Sequence, residues 1–240
     1  GVAMATAAVS GLVARPFIGW SLDRLGRRPT LIAGTCLLVL SMAMLLWVDR
    51  IGPLLYATRI VFGIGIAALF SGYFAAAADI VPSQRRTEGL ALFGISGLVP
   101  LLINPFTDQL GIAAPDLRWF LPLVGGVIFL SLIPLLVLPE SASQRAEKLD
   151  VLQLLRALRG RPLWPAWFAT AVFSGLVAVF MTFATVAAEQ RGVTRPATLW
   201  LSYAGGAVFV RAFGARLPER IGPSNLVAPA LGSYVAAMTL

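Results

Sequence analysis

The sequence predicts an all-α fold, a polytopic bundle of membrane-spanning helices. Three observations predict it. Residues of the AVILMFWYC set make up 58% of the 240 residues, before the 23 glycines are added, against ~45–50% for a soluble domain with Gly included. Charged residues are 12%, about half the usual ~25%. The apolar residues also fall into runs of the ~20 residues that cross a bilayer core. So few charges cannot cover a soluble surface. Disordered, collagen-like and disulfide-framework classes fall at the same step.

Walking the chain gives eight candidate spans, roughly 1–22, 30–48, 53–78, 88–108, 117–138, 163–188, 196–217 and 224–240. The first has no basic segment before it and does not read as a signal peptide. The last stops in mid-run, so the chain reads as a fragment. Pro100 and Pro105 are expected to kink the fourth span.

The charges between the spans alternate. After the first, third, fifth and seventh spans stand Arg24, Arg27, Arg28, Arg85, Arg86, Arg145, Lys148, Arg156, Arg159, Arg161, Arg216 and Arg220, twelve in all. After the second, fourth and sixth stand only Arg50, Arg118, Arg191 and Arg195. Short cytoplasmic loops are enriched in Lys and Arg, so the first span runs from outside to inside. The net charge of +8 therefore marks topology rather than a nucleic-acid face. In the long loop at 142–162, Val151, Leu152, Leu154, Leu155 and Leu158 recur beside Arg156, Arg159 and Arg161. That pattern suggests an amphipathic helix on the inner membrane surface. The alternative is a solvated linker.

The inventory excludes much chemistry. Histidine is absent and Cys36 is the single cysteine. Histidine-based triads, histidine metal sites and cysteine clusters cannot form within this stretch. Cys36 is expected to be buried and inert. No metal, no cofactor and no enzymatic activity are expected.

The chain contains a repeat. Arg15, Phe17, Arg24 and Gly26 recur as Arg211, Phe213, Arg220 and Gly222 at a constant offset of 196, with Asp23 answered by Glu219 and Leu25 by Ile221. Both copies fall at a cytoplasmic exit, six spans apart. Six-span halves in the same orientation imply a parallel duplication. Residues 1–141 would be the first half without its first helix. Residues 142–162 would be the connecting loop, and residues 163–240 the second half without its last three helices.

Gly19-x-x-x-Asp23-Arg24-x-Gly26-Arg27-Arg28-Pro29 resembles the signature of the major facilitator superfamily between helices two and three, with Ser21 where Leu is usual. Arg59-x-x-x-Gly63-x-Gly65 is similar to the fourth-helix motif, and Asp79-x-x-Pro82-x-x-x-Arg86 to that helix's cytoplasmic end. Leu138-Pro139-Glu140-Ser141 resembles the sixth-helix exit. The second signature keeps Glu219 and Arg220 but has Pro223 and Ser224 in place of paired arginines. The resemblance implies a fold of two six-helix repeats, of which helices two to nine are present here. It also implies that Asp23, Arg27 and Asp79 form a charge network holding a cytoplasmic gate closed. Gly19, Arg24, Gly26, Arg28, Arg86, Glu219 and Arg220 belong to the same expected gate. Independently of the resemblance, a carboxylate and guanidiniums at a helix exit can form bidentate ion pairs that break and re-form between two packings. Gly19 and Gly26 would permit close helix approach and a tight turn.

Arg59 lies six residues past Pro53, ~9 Å in from the outer end. A charge there should face protein or water. The resemblance places it on the transport pathway; the alternative is snorkelling to the headgroups. Asp108 falls at similar depth on the antiparallel fourth span, either as its partner or as a solvated acid at the helix end. Arg15 and Arg211 each precede a signature acid by eight residues, which suits gate contacts or snorkelling equally. Gly63/Gly65 and Gly94/Gly97 read as helix-packing surfaces. Phe168, Phe173, Phe180, Met181 and Phe183 read as packing or lipid-facing groups. Drug–proton antiporters of the superfamily carry Gly-Pro-x-x-Gly-Gly in helix five. Here Pro100 survives, while Asn104, Asp108 and Gln109 replace glycines.

The sequence thus points to a secondary transporter of the plasma membrane, expected in a bacterial inner membrane. It would move a small solute by alternating access, with proton-coupled efflux ahead of uptake of a sugar or organic acid. Expected partners are the lipid bilayer, the solute and protons, with no nucleic acid and a monomeric state. A membrane-embedded enzyme and a non-transporting sensor or channel are the rival classes.

Overall fold

The computed structural model describes residues 2–101, 117–138, 164–195 and 198–239. Among these there is no strand. The helices are α1 (Val2–Arg24), α2 (Arg27–Leu45), α3 (Pro53–Ile80), α4 (Arg86–Phe93), α5 (Leu117–Leu130), α6 (Leu132–Val137), α7 (Trp164–Gln190), α8 (Thr198–Gly214), α9 (Leu217–Ile221) and α10 (Pro223–Thr239). Short 3₁₀ turns at Ser83–Arg85 and Ser96–Leu98 flank α4.

Local chemistry sets the boundaries. Gly26 ends the α1–α2 turn at φ 104°, a conformation open to glycine alone among common residues. Pro53 opens α3, where its fixed φ and missing N–H cost nothing. Pro82 closes that helix by forcing Val81 into extended backbone at φ −76°, ψ 130°. Ser131 separates α5 from α6. Pro134 lacks the N–H that would continue the ladder to residue 130.

The chain divides into two compact units, Gly1–Pro82 with Ile112–Ala146, and Ser83–Gly111 with Glu147–Leu240. In the first, α3 packs against both α1 and α2, and α2 also meets α5 and α6. Small residues make the approach possible. A Cβ on Gly63 would overlap the carbonyl oxygen of Ala7 and the hydroxyl of Ser10, and one on Gly11 would stand 2.8 Å from the Gly63 carbonyl oxygen. On the α2 side, a Cβ on Gly65 would meet the Gly34 carbonyl oxygen at 3.1 Å, and one on Gly72 would meet Leu31 at 2.7 Å. In lipid no hydrophobic drive pulls helices together, so such backbone-to-backbone packing supplies the association energy. Ser10 adds a bond from its hydroxyl to the Ile60 carbonyl at 3.2 Å. Buried Thr30, Thr35 and Ser41 each donate to a carbonyl of the preceding turn, so these three hydroxyls are buried with partners.

In the second unit, α8 packs against α4, and α10 against α7. Phe180 stacks on Tyr203 with ring centroids 5.3 Å apart and meets Trp200 edge-on at 5.8 Å. Outward-facing apolar groups are frequent in both units, among them Phe17, Phe70, Trp119, Val127, Phe168 and Phe183. That is the surface a bilayer demands.

Five described helical stretches are long and apolar enough to cross a membrane: Val2–Arg24, Arg27–Leu45, Pro53–Ile80, Trp119–Val137 and Trp167–Gln190. The fourth, seventh and eighth sequence spans are not among these described stretches, and each reaches into residues outside the described set. α4 stops at Gly94, and residues 102–116 lie outside the described set. α8 runs 17 residues and carries Arg211 before ending at Gly214. Within α10, Asn225–Ala237 is a shorter apolar helix among the described residues. The 142–162 loop with its expected amphipathic helix lies outside the described residues. Cys36 departs from expectation, being exposed. The packed face of α2 is Leu31, Gly34, Thr35 and Leu38, and Cys36 points away from it.

Candidate functional site

The α1–α2 turn is built around Gly26. The Ser21 carbonyl accepts the N–H groups of Leu25 at 2.8 Å and Gly26 at 3.2 Å. Thr30 donates to the Gly26 carbonyl at 2.9 Å, and its hydroxyl shares a 2.7 Å bond with that of Ser21. The turn is therefore fixed from both helices, and Arg27 starts α2 in a defined position.

Arg27 draws together three acceptors. Its Nε donates to Asp79 Oδ2 at 3.1 Å, and one Nη donates to the Leu22 carbonyl at 2.7 Å and to Asp23 Oδ1 at 3.4 Å. Exposure falls from 56% at Asp23 through 35% at Asp79 to 18% at Arg27, so the cation is the shielded member. Its placement suits the helix ends. Leu22 offers one of the orphan carbonyls at the α1 C-terminus. Asp79 stands at the C-terminus of α3, where the helix dipole disfavours an anion, and the Arg27 charge offsets that cost. Arg24, Arg28 and Arg86 form no ion pair among the described residues. Around Gly19 nothing lies within 4 Å of a built Cβ, so the close approach expected there is absent from the described structure.

A second ion cluster lies in the other unit. Arg85 grips Glu88 in a fork, Nε to Oε2 at 2.8 Å and Nη2 to Oε1 at 3.0 Å. Arg216 Nε reaches the same Oε1 at 2.9 Å. Glu88 is 14% exposed. The hydrogen bond from Arg85, helped by Arg216, holds its carboxyl below the usual range against the opposing effect of desolvation. The bond to Glu88 raises Arg85, and Glu219 adds a smaller attraction.

Arg59 is half-buried on α3, one turn before Gly63. Its Nε is buried without a hydrogen-bond partner among the described residues. Near the same α1–α3 crossing opens a groove of about 630 Å³ lined by Val2, Thr6, Val9, Ser10, Val13 and Ile64, with no charged side chain in its lining. Arg211 lies against α4: its Nε stands 3.3 Å from a Cβ built on Gly94, and one Nη donates to the Ala207 carbonyl at 3.4 Å. Arg15 is exposed. Asn104 and Asp108 lie outside the described residues, and so does any Arg59–Asp108 pair.

A family model described as Major Facilitator Superfamily matches residues 1–240. The chain belongs to the Major Facilitator Superfamily. Tetracycline resistance protein, class E, of Escherichia coli is 28% identical over 213 residues, which is 85% of this chain and 47% of that protein. The chain thus spans about half the length of the curated relative it matches. No solved structure matches it at a significant level. Family and helices together make it a multi-pass, all-α membrane protein.

Within this superfamily chain, reasoning from sequence missed Glu88 and the bonding roles of Arg85 and Arg216. The motif resemblance stops at Arg86, one residue past the arginine that is paired. A local signal existed: Arg85 and Glu88 are three residues apart at a helix start, where opposite charges meet and an acid favours the dipole. Gly97, expected to pack a helix, has open space around a built Cβ. Gly94 instead makes room for Arg211.

Proposed function

We propose that this chain is the gate-bearing part of a proton-driven exporter in a bacterial plasma membrane, working by alternating access on a small solute. The observation that carries the reading is Arg27, held at once by Asp79, Asp23 and the Leu22 carbonyl. Three helix ends meet in one guanidinium. α1 cannot shift against α3 at this end unless Arg27 releases Asp79. A charge-assisted contact of this kind contributes ~1.5–3 kcal/mol, enough to bias two conformations and small enough to be overcome in each cycle.

Superfamily membership supports transport, and the tetracycline resistance relative supports efflux. The solute class to test first is a planar polycyclic antibiotic of the tetracycline type. Arg59 is the pathway residue: its unpartnered Nε leaves a donor for a solute or water, and Asn104 and Asp108 are the polar groups proposed on the same route. Gly26 sets the turn. Arg24, Arg28, Arg86, Glu219 and Arg220 are the further residues proposed for the cytoplasmic gate.

The test is tetracycline accumulation in everted vesicles containing the intact transporter. The expected result is uptake driven by a proton gradient and abolished by a protonophore. Uptake that persists with the protonophore would exclude proton coupling. Accumulation in right-side-out cells instead of everted vesicles would reverse the direction.

A further inference from the structure

α7 and α8 are not among the closely packed helix pairs of the second unit. They meet instead through large rings. Trp200 and Tyr203 stand one turn apart on α8, with centroids 6.5 Å apart and planes at 80°. Phe180 of α7 stacks on Tyr203 with planes 28° apart and meets Trp200 at 74°. Three rings in mutual contact fix one another's orientation. Gly206 follows Tyr203 one turn further along the same face of α8. Nothing lies within 4 Å of a Cβ built there. Consecutive spans run antiparallel, so the Phe180–Tyr203 contact sets Leu176 near the level of Gly206. There α10 contributes Tyr234, whose hydroxyl donates to the Leu176 carbonyl at 3.4 Å. Its ring meets Phe173 edge-on at 6.4 Å. The face of α8 thus passes from an aromatic cluster into open space.

Two features set this cluster apart from ordinary packing. A glycine inside a helix costs stability. Close packing against α1 offsets that at Gly63, but among the described residues nothing packs on Gly206. Trp200 is buried, yet neither its indole N–H nor the Tyr203 hydroxyl makes a hydrogen bond among the described residues. Buried Trp and Tyr normally find a partner for the polar end. We propose that Phe180, Trp200 and Tyr203 form the floor of a solute subsite whose slot opens at Gly206, and that it takes a flat conjugated ring system with oxygen acceptors at its edge. The rings offer apolar area and quadrupoles that another aromatic system meets stacked or edge-on. The Trp200 N–H and the Tyr203 hydroxyl offer donors to the rim oxygens. Tyr203 is the specificity-determining residue, since it joins a ring to a hydroxyl beside the slot. The solute is of the class proposed above, so the inference rests on that reading.

The test uses the intact transporter with tetracycline as the probe. Equilibrium dialysis of the purified protein gives Kd, and everted vesicles give KM and maximal rate. Tyr203→Leu is expected to weaken binding about tenfold, the loss of a ring contact and a hydrogen bond. Tyr203→Phe keeps the ring and should lose only about threefold. Gly206→Leu fills the slot and should weaken binding at least about tenfold. Its melting temperature should equal or exceed the parent's, because the side chain enters empty space and favours the helix. KM should rise by the same factors while the maximal rate holds. Unchanged Kd in both Leu variants would overturn the subsite, and proton-driven accumulation by the parent would still leave the export reading standing. A lowered melting temperature for Gly206→Leu would also overturn it, since protein would then fill the slot. The expected losses of binding in a transporter that accumulates no tetracycline would keep the subsite and remove the export reading. A parent that binds no tetracycline would sink both.

Discussion

Gly63→Ala isolates the packing that brings α1 to α3. The added methyl would overlap the Ala7 carbonyl oxygen and the Ser10 hydroxyl. The hydroxyl can rotate, but the backbone oxygen cannot, so α1 must move away. Overpacking costs ~1–3 kcal/mol, and a clash with backbone belongs at the upper end. Separation also strains the Ser10–Ile60 bond, worth ~0.6 kcal/mol in a membrane. Alanine returns ~1 kcal/mol of helix propensity. The net is a loss of about 2–3 kcal/mol, a fall in melting temperature on the order of 5–10 °C. The control is Gly126→Ala on α5, where a built Cβ meets nothing. Only the propensity gain remains there, so the change is neutral or stabilising. Thermal unfolding of both variants in detergent gives opposite signs. Equal melting temperatures would refute the α1–α3 contact.

The other expectations can be checked with the same preparation. Gly26→Ala places a side chain at φ 104°, ψ 172°, which costs ~1–3 kcal/mol; Gly19→Ala, with open space around it, should melt like the parent. Arg59→Ala removes a guanidinium whose Nε has no bond to lose, so stability should hold or rise while transport falls, and a fall in stability with full transport would support snorkelling. The ion cluster at Glu88 has a defined pH response. Its carboxyl is lowered, so its contribution is present above the ordinary Glu range and is lost as pH falls through the lowered value. Arg85 is raised and stays charged throughout. The melting difference between the parent and Glu88→Gln should therefore be flat from about pH 8 to 6 and shrink only below ~4. A difference that disappears near neutrality would contradict the cluster.

The membrane class and most helices were legible because composition and run length act locally: α1, α2, α3 and α7 close near the proline, glycine or charge that the sequence displays. The Asp23–Arg27–Asp79 grouping was legible through motif resemblance, although 52 residues separate Arg27 from Asp79. Pairing across 128 residues, as between Glu88 and Arg216, leaves no periodic trace. Arg216 looked like one more inside charge, since topology and ion pairing use the same residue type. The glycines divide similarly. Gly63 and Gly97 are alike in sequence, and only a neighbouring helix makes one indispensable. Cys36 faced outward because a span has two apolar faces, and hydropathy does not say which one meets protein.

The most direct test of the central claim is the initial rate of proton-driven solute entry into everted vesicles for Asp79→Asn in the intact transporter, at equal protein per vesicle. Loss of the Arg27–Asp79 ion pair is expected to lower that rate at least about tenfold, the equivalent of ~1.4 kcal/mol, with insertion unchanged. A parental rate would contradict the account, because the gate would then cycle without the contact on which it is built.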